Sequence, residues 1–175
     1  MSNRLIVGCL LFLCLNCSRA TKNDTDNRAT DSFSITGLVE EIPSFSKESL
    51  LELDQQDLGT VQLRKGDGEV YLELDQTKGV LLKDVLGSLP VEGQTNKNYS
   101  AYYVDCKAVD GFQSVYSWNE LFNSPTGDSV YLITEANGKS LDQMSQSIMM
   151  VSLQDQITGK RNLRNLTSIE VNRVY

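Results

Sequence analysis

The residues able to do chemistry in this 175-residue chain are few, and histidine is not among them. Without an imidazole the chain holds no Ser-His-Asp or Cys-His nucleophilic system, no HExxH zinc site and no histidine-ligated haem. Gly127-Asp128-Ser129 has the outline of a hydrolase serine without its base, and reads as a turn. Gly138-Lys139-Ser140 echoes a phosphate loop, but Ile133, inside a strand pattern, stands where that motif needs its first glycine. Gly66-Asp67-Gly68-Glu69 could offer carboxylates to calcium, yet lacks the spaced ligands of a calcium loop; a hairpin turn explains it. Cys106 carries a thiol, which as thiolate is a soft metal ligand. Lys160, Arg161 and Arg164 lie close together with no acid until Glu170, so in an acidic protein they form a candidate anion seat. The Asp110-Gly111-Phe112 turn is the remaining candidate, as a loop that could hold a cofactor.

The elements that must position these residues are mostly short strands with turn punctuation. Phe33 to Ile42 reads as a strand, and Gly59 to Asp75 as a hairpin turning at Lys65-Gly66-Asp67-Gly68. Ser46 to Leu53 is a short helix and Gly79 to Leu89 a better one, ended by Gly87 and Pro90. Tyr99 to Ser117 gives two strands about Asp110-Gly111, where a tight turn favours glycine because it needs a positive φ. Ser117 then begins Ser-Trp-Asn-Glu, a capping box with Glu120 at the third helical position. Ser129 to Thr134, Ser147 to Leu153 and Leu166 to Tyr175 are further strands, two of them apolar enough to lie inside a sheet. In the strand holding Cys106, Tyr102, Val104, Cys106 and Ala108 share one face. That apolar set marks the core side and predicts a small buried hydrophobe rather than a ligand. The fold class is α+β with an excess of strand.

At the N-terminus, Arg4 precedes an apolar run from Leu5 to Leu15, too short for a membrane span and suited to a secretory signal. Cys17, with Asn16 before it and Ser18 after, resembles the lipidated cysteine of a bacterial lipoprotein. This divides the chain into a signal at 1–16, a lipidated cysteine and polar tether at 17–32, and one domain at 33–175. It places the domain across the inner membrane, lipid-anchored in the cell envelope at the outer membrane or the periplasmic face. Cys9 and Cys14 leave with the signal, so Cys106 stays as the one free thiol and core packing must do the stabilising. The whole chain carries a net charge of −7, and losing Arg4 leaves 15 basic against 23 acidic residues, or −8. That balance disfavours nucleic acid and anionic lipid surfaces, so the expected membrane link is the lipid. Ser18 to Ser32 has no large apolar residue and would reach roughly 20 Å as a flexible chain.

Four segments in order resemble the oxidoreductase molybdopterin-binding domain of the sulfite oxidase superfamily. They are Gly79 to Leu86, Ala108 to Leu121, Ser129 to Leu141, and Gly159 to Val171. The family pattern has a Gly-Val-x-Leu helix and an Ala-x-Asp-Gly-Tyr turn followed by a capped helix. A strand ending in Asn-Gly and a basic segment before the last strand complete it. The resemblance spans Ile35 to Val174 and implies a mixed α+β fold, with a mainly antiparallel sheet, that cradles a pterin. It implies cofactor contacts at Asp110, Gly111 and Phe112, and at Lys160, Arg161 and Arg164, the last two standing where the family places lysines on the pterin phosphate.

The chain departs from that pattern at the metal. The family's molybdenum-binding cysteine would fall near Asp67, where there is none, and Cys106 lies in a different strand. Histidines that help hold the pterin are absent, and Phe112 replaces the usual Tyr. Molybdenum catalysis is therefore not expected. Three readings stay open: a non-catalytic envelope lipoprotein binding a pterin-like or other small anionic ligand; an accessory subunit with an empty pocket and an unidentified protein partner; and a molybdenum-dependent oxidoreductase with an unusual metal hold.

Overall fold

The computed structural model describes residues 29–175 apart from 88 and 96. The expected signal, Cys17 and all of the expected tether up to residue 28 lie outside the described residues. The chain runs β1 (Ser32–Gly37), β2 (Ser44–Ser46), α1 (Lys47–Leu51), β3 (Gln56–Arg64), β4 (Val70–Leu81) and α2 (Leu82–Leu86). It continues with β5 (Tyr102–Ala108), β6 (Gln113–Ser117), α3 (Trp118–Phe122), β7 (Val130–Ala136), β8 (Lys139–Ser140), β9 (Met149–Ser152) and β10 (Leu166–Arg173). This is a mixed α+β protein with mostly antiparallel strands and few, short helices.

One sheet has the order β2-β1-β10-β5-β6, with β1 and β10 parallel and every other pair antiparallel. Its inward face is set by simple alternation. Tyr102, Val104, Cys106 and Ala108 of β5 are buried, while the residues between them are half-exposed. The other sheet has the order β3-β4-β7-β8, and β9 also pairs with β7. Here β7 is buried along both faces. Val130 and Leu132 join the main core with α2, α3 and the first sheet, whereas Tyr131 and Ile133 join a smaller core under β3 and β4. Its unbroken apolar run, and that of Met149 to Val151 in β9, follow from lying between two cores.

Two expectations are corrected. Gly79 to Leu81 is strand, not helix: Val80 pairs with Leu132 and Leu81 with Tyr131, and only Leu82–Leu86 is helical. Three apolar residues in a row, each needing burial, suit a strand between two cores better than the first turn of a helix. Residues 30–32, expected to be tether, already take part in the fold. Thr30 Oγ1 donates to the Ser147 carbonyl at 3.3 Å, Asp31 holds the buried Lys47 at 2.8 Å, and Ser32 already belongs to β1.

The second sheet curls back on itself. The β3–β4 register shifts between Asp57 and Gly59, between Gly59 and Val61, and between Leu63 and Arg64. The bent β3 then meets the turn that follows β9. Thr158 Oγ1 accepts the Arg64 N–H at 2.8 Å and donates to the Gln62 carbonyl at 3.3 Å, covering the edge of β3. That closure brings residues of the β3–β4 hairpin to the basic segment about ninety positions later.

Candidate functional site

The turn after β5 forms as its sequence requires. Gly111 takes φ +84°, its N–H reaches the Ala108 carbonyl at 3.1 Å, and the Asp110 carboxylate accepts the Phe112 N–H at 2.9 Å. The capping box that opens α3 is complete: Glu120 N–H donates to Ser117 Oγ at 3.1 Å and Ser117 N–H to Glu120 at 2.8 Å.

Of the residues named from the sequence, the structure brings Asp110, Phe112 and Arg164 around one open cavity of about 250 Å³, together with Tyr71 and Asn162. Lys160 lies in a second cavity of about 350 Å³, walled by Arg64, Lys65, Gly66, Ile157, Gly159 and again Tyr71. Tyr71 therefore borders both cavities, and this neighbouring pair is the candidate groove. The seat of Tyr71 depends on Gly159, where a Cβ would stand 2.7 Å from the Tyr71 ring and 2.8 Å from the Arg64 carbonyl oxygen.

The charges in the groove are mostly uncompensated. Arg64 donates to the Gly68 carbonyl at 3.2 Å and to the Gln62 side-chain oxygen at 2.6 Å, neither of them an acid. Lys65 is paired with Glu69 at 2.8 Å. Lys160 and Arg164 have no ion pair among the described residues. A larger polar cavity, of about 870 Å³, at the other end of the β3–β4 hairpin has the opposite character. It presents Asp57, Asp75 and Glu135, and its Lys78 is already held by Glu135 at 2.9 Å, so it repels anions.

Arg161 does not belong to the groove, and its expected place in the anion seat is corrected. Its guanidinium takes Asp155 through two nitrogens, with Nε–H donating at 2.7 Å, and Nη1 reaches Glu120 at 3.2 Å. It also lies 4.4 Å from the centre of the Tyr116 ring. The hydrogen bond to Asp155, foremost among these contacts, raises its pKa further, and burial raises that of Tyr116. A cation so neutralised is a strut between α3, β6 and the turn after β9. Gly111 supports its loop without lining either cavity.

Cys106 is wholly buried in the main core, as its strand position predicts. Burial, with Asp105 adding to it, pushes its thiol above the ordinary range. The place expected for the family's cysteine, near Asp67, is the exposed tip of the β3–β4 hairpin, where Asp67 accepts the Glu69 N–H at 2.9 Å. Among the described residues no three His, Cys, Asp or Glu side chains gather as a metal set. The donors present do not fit a molybdenum held by protein sulfur. They fit an anion.

Ser129 is also settled by its surroundings: it is buried in a 3₁₀ turn and its hydroxyl donates to the Thr126 carbonyl at 2.8 Å, so it is no nucleophile.

No protein-family model matches the chain, and no curated protein matches it in sequence. Among solved structures it is similar to the sulfane dehydrogenase SoxCD from Paracoccus pantotrophus, with a TM-score of 0.57 at 14% identity. The likeness is one of fold. It covers 80% of this chain but only 37% of the SoxCD chain, and it supports the fold relationship that the sequence motifs imply.

Tyr71, Arg64, Lys65 and Asn162 were not among the residues singled out from the sequence. Asn162 lay within the basic segment, where the charged neighbours drew attention. Tyr71 and Arg64 flank a hairpin whose approach to residues 157–160 depends on the curl of β3, which no local pattern encodes.

Proposed function

We propose that this chain is a non-catalytic envelope lipoprotein whose sulfite-oxidase-like domain binds a small anionic ligand of the pterin-phosphate kind in the groove bordered by Tyr71. The observation that carries this reading is the gathering of Arg64, Lys160 and Arg164, none of them ion-paired among the described residues, in a protein of net charge −7. Cations held together on an acidic protein are self-repelling, and an arrangement that keeps them unneutralised suits a bound anion. The aromatic wall between the chambers gives a planar ligand a surface to lie on.

The groove offers no thiol or imidazole, so the reading assigns no metal-centred step to this chain. Elemental analysis and pterin fluorescence on the full chain, produced in cells that make molybdenum cofactor, test it. We expect a phosphorylated ligand without stoichiometric molybdenum; near-stoichiometric metal would overturn the non-catalytic reading.

A second reading, an accessory protein that docks a partner, has its own support. Phe112 and Val115 are exposed at 41% and 52%, and they sit on and beside β6, the edge strand of the first sheet. Crosslinking in envelope preparations, with Val115→Lys as the control, tests it.

A further inference from the structure

The strands that end the two sheets differ in how their outer edge is closed. β2 is three residues long and follows Pro43, and β8 has two residues. β3 is bulged and covered by Thr158. β9 is covered by Leu163, which exchanges both backbone hydrogen bonds with Met150, at 2.8 and 2.9 Å. Among the described residues β6 is the exception. It is five residues long, ends its sheet and pairs with β5 in unbroken register. Proteins usually blunt such an edge with a charge, a proline or a bulge. From Phe112 to Asn119 the chain has no charged residue and no proline.

The ladder fixes which backbone groups of β6 are free. Ala108 N–H donates to the Phe112 carbonyl at 2.9 Å, so Phe112 faces β5. Ser117 N–H turns away from β5 and donates to the Glu120 carboxylate at 2.8 Å. Backbone direction alternates along an antiparallel strand, so Gln113 and Val115 point their N–H and C=O groups outward, as Ser117 does. Both residues are exposed, Val115 at 52%. The result is an uncharged strand with unused donors and acceptors in the right order for another strand.

We propose that this edge takes β6 of a second copy of the chain, antiparallel, so that the two sheets join across a two-fold axis. Gln113 and Val115 of one copy then exchange hydrogen bonds with Val115 and Gln113 of the other. Charge decides the occupant. Each copy carries −7, so two copies repel wherever they present that charge, and they can meet along a strand that presents none. A five-residue strand pair flanked by Phe112 is small beside the about 1,600 Å² of a standard interface, so the dimer is a weak one that forms at high concentration. This use of β6 names an occupant for the docking reading and is independent of the anion site.

The test is sedimentation equilibrium of the purified full chain over a wide range of concentration. The wild type is expected to pass from monomer to dimer, and added salt should strengthen the dimer by screening the repulsion between acidic copies. Val115→Pro is the decisive variant. It removes an N–H that points away from β5, so the β5–β6 ladder survives, as proline is tolerated on an outward edge. By symmetry it deletes a hydrogen bond from each copy, and dimerisation should weaken at least about tenfold with an unchanged unfolding midpoint. Val115→Lys serves if Val115→Pro does not fold, since it sets like charges close together across the axis. A wild type that stays monomeric at every concentration overturns the proposal. So does a dimer that is indifferent to both variants or that salt dissociates. Crosslinking in envelope preparations decides separately whether another protein docks at this edge.

Discussion

Arg161 and its neighbours Lys160 and Arg164 belong to one short basic segment, yet they serve opposite ends. Arg161 is folded inward onto Asp155, Glu120 and the face of Tyr116, and three elements meet at it. Lys160 and Arg164 line the cavities on either side of Tyr71 and form no ion pair among the described residues, although Asp110 shares the cavity of Arg164. The difference teaches that a cluster of cations is not a site until its carboxylates have been located. Charge turned inward fixes the frame; charge left unneutralised beside a cavity is available to a ligand.

The sharpest way to break the comparison is to remove the inward cation. Arg161→Ala leaves Asp155, whose side chain is 17% exposed, facing Glu120 and Tyr116 without a counter-charge. Stranding a largely buried acid in this way costs about 2–4 kcal/mol, to be read from the denaturant midpoint. Arg161→Lys rescues only part of it, because an ammonium cannot reproduce the two-nitrogen grip or the stacking on Tyr116. If Arg161→Ala unfolds no earlier than wild type, the strut is not a strut.

Gly159→Ala attacks the groove from its floor. The added methyl meets the Tyr71 ring and the Arg64 carbonyl oxygen well inside contact distance, so one of them must move. Overpacking of this kind costs about 1–3 kcal/mol. It should also weaken binding of inorganic phosphate, which a change of stability elsewhere in the fold would leave alone. Tyr71→Ala in the same background should recover stability while binding stays low.

Much of the frame was legible in the sequence, and for a physical reason: local patterns determine local structure. Alternation in β5 placed Cys106 inside, Asp110-Gly111 marked the turn, and Ser117 with Glu120 marked the start of α3. The apolar runs that became β7 and β9 announced strands buried on two faces. Reading failed where a long-range contact decided between two local solutions. Val80 and Leu81 suit a helix as well as a strand until Leu132 and Tyr131 are beside them. The same limit governs the site. Asp155 stands six positions before Arg161 and could have warned of the pairing, but Glu120 is far away in sequence, and Tyr71 reaches Gly159 only because β3 curls.

Alkaline pH sharpens the contrast from another side, because it acts on groups held neutral in the closed interior. Cys106 and Tyr116 are buried as neutral groups, with their pKa values raised above the unperturbed 9.0 and 10.0. In the unfolded chain both ionise at those ordinary values, whereas in the folded chain they hold their protons. Stability is therefore fully present below about pH 9 and falls as pH rises beyond it, by up to about 1.4 kcal/mol per pH unit for each group. Cys106→Ala should remove the part that begins near pH 9 and leave the part that begins near pH 10.

The smallest effect on folding is expected at the rim. Lys160→Ala removes a side chain without an acid partner among the described residues, and surface changes of that sort usually stay within about 0.5 kcal/mol. Its unfolding midpoint should match wild type, while its affinity for inorganic phosphate falls several-fold. The pairing of those two results matters more than either alone, since Arg161→Ala is expected to give the reverse: a large loss of stability. At a stabilising temperature, phosphate binding in that variant should be retained as long as the groove stays formed. If instead Lys160→Ala lowers stability and leaves phosphate binding untouched, the lysine is part of the frame. The division between inward and outward charge would then have to be redrawn with Arg164 alone on the outer side.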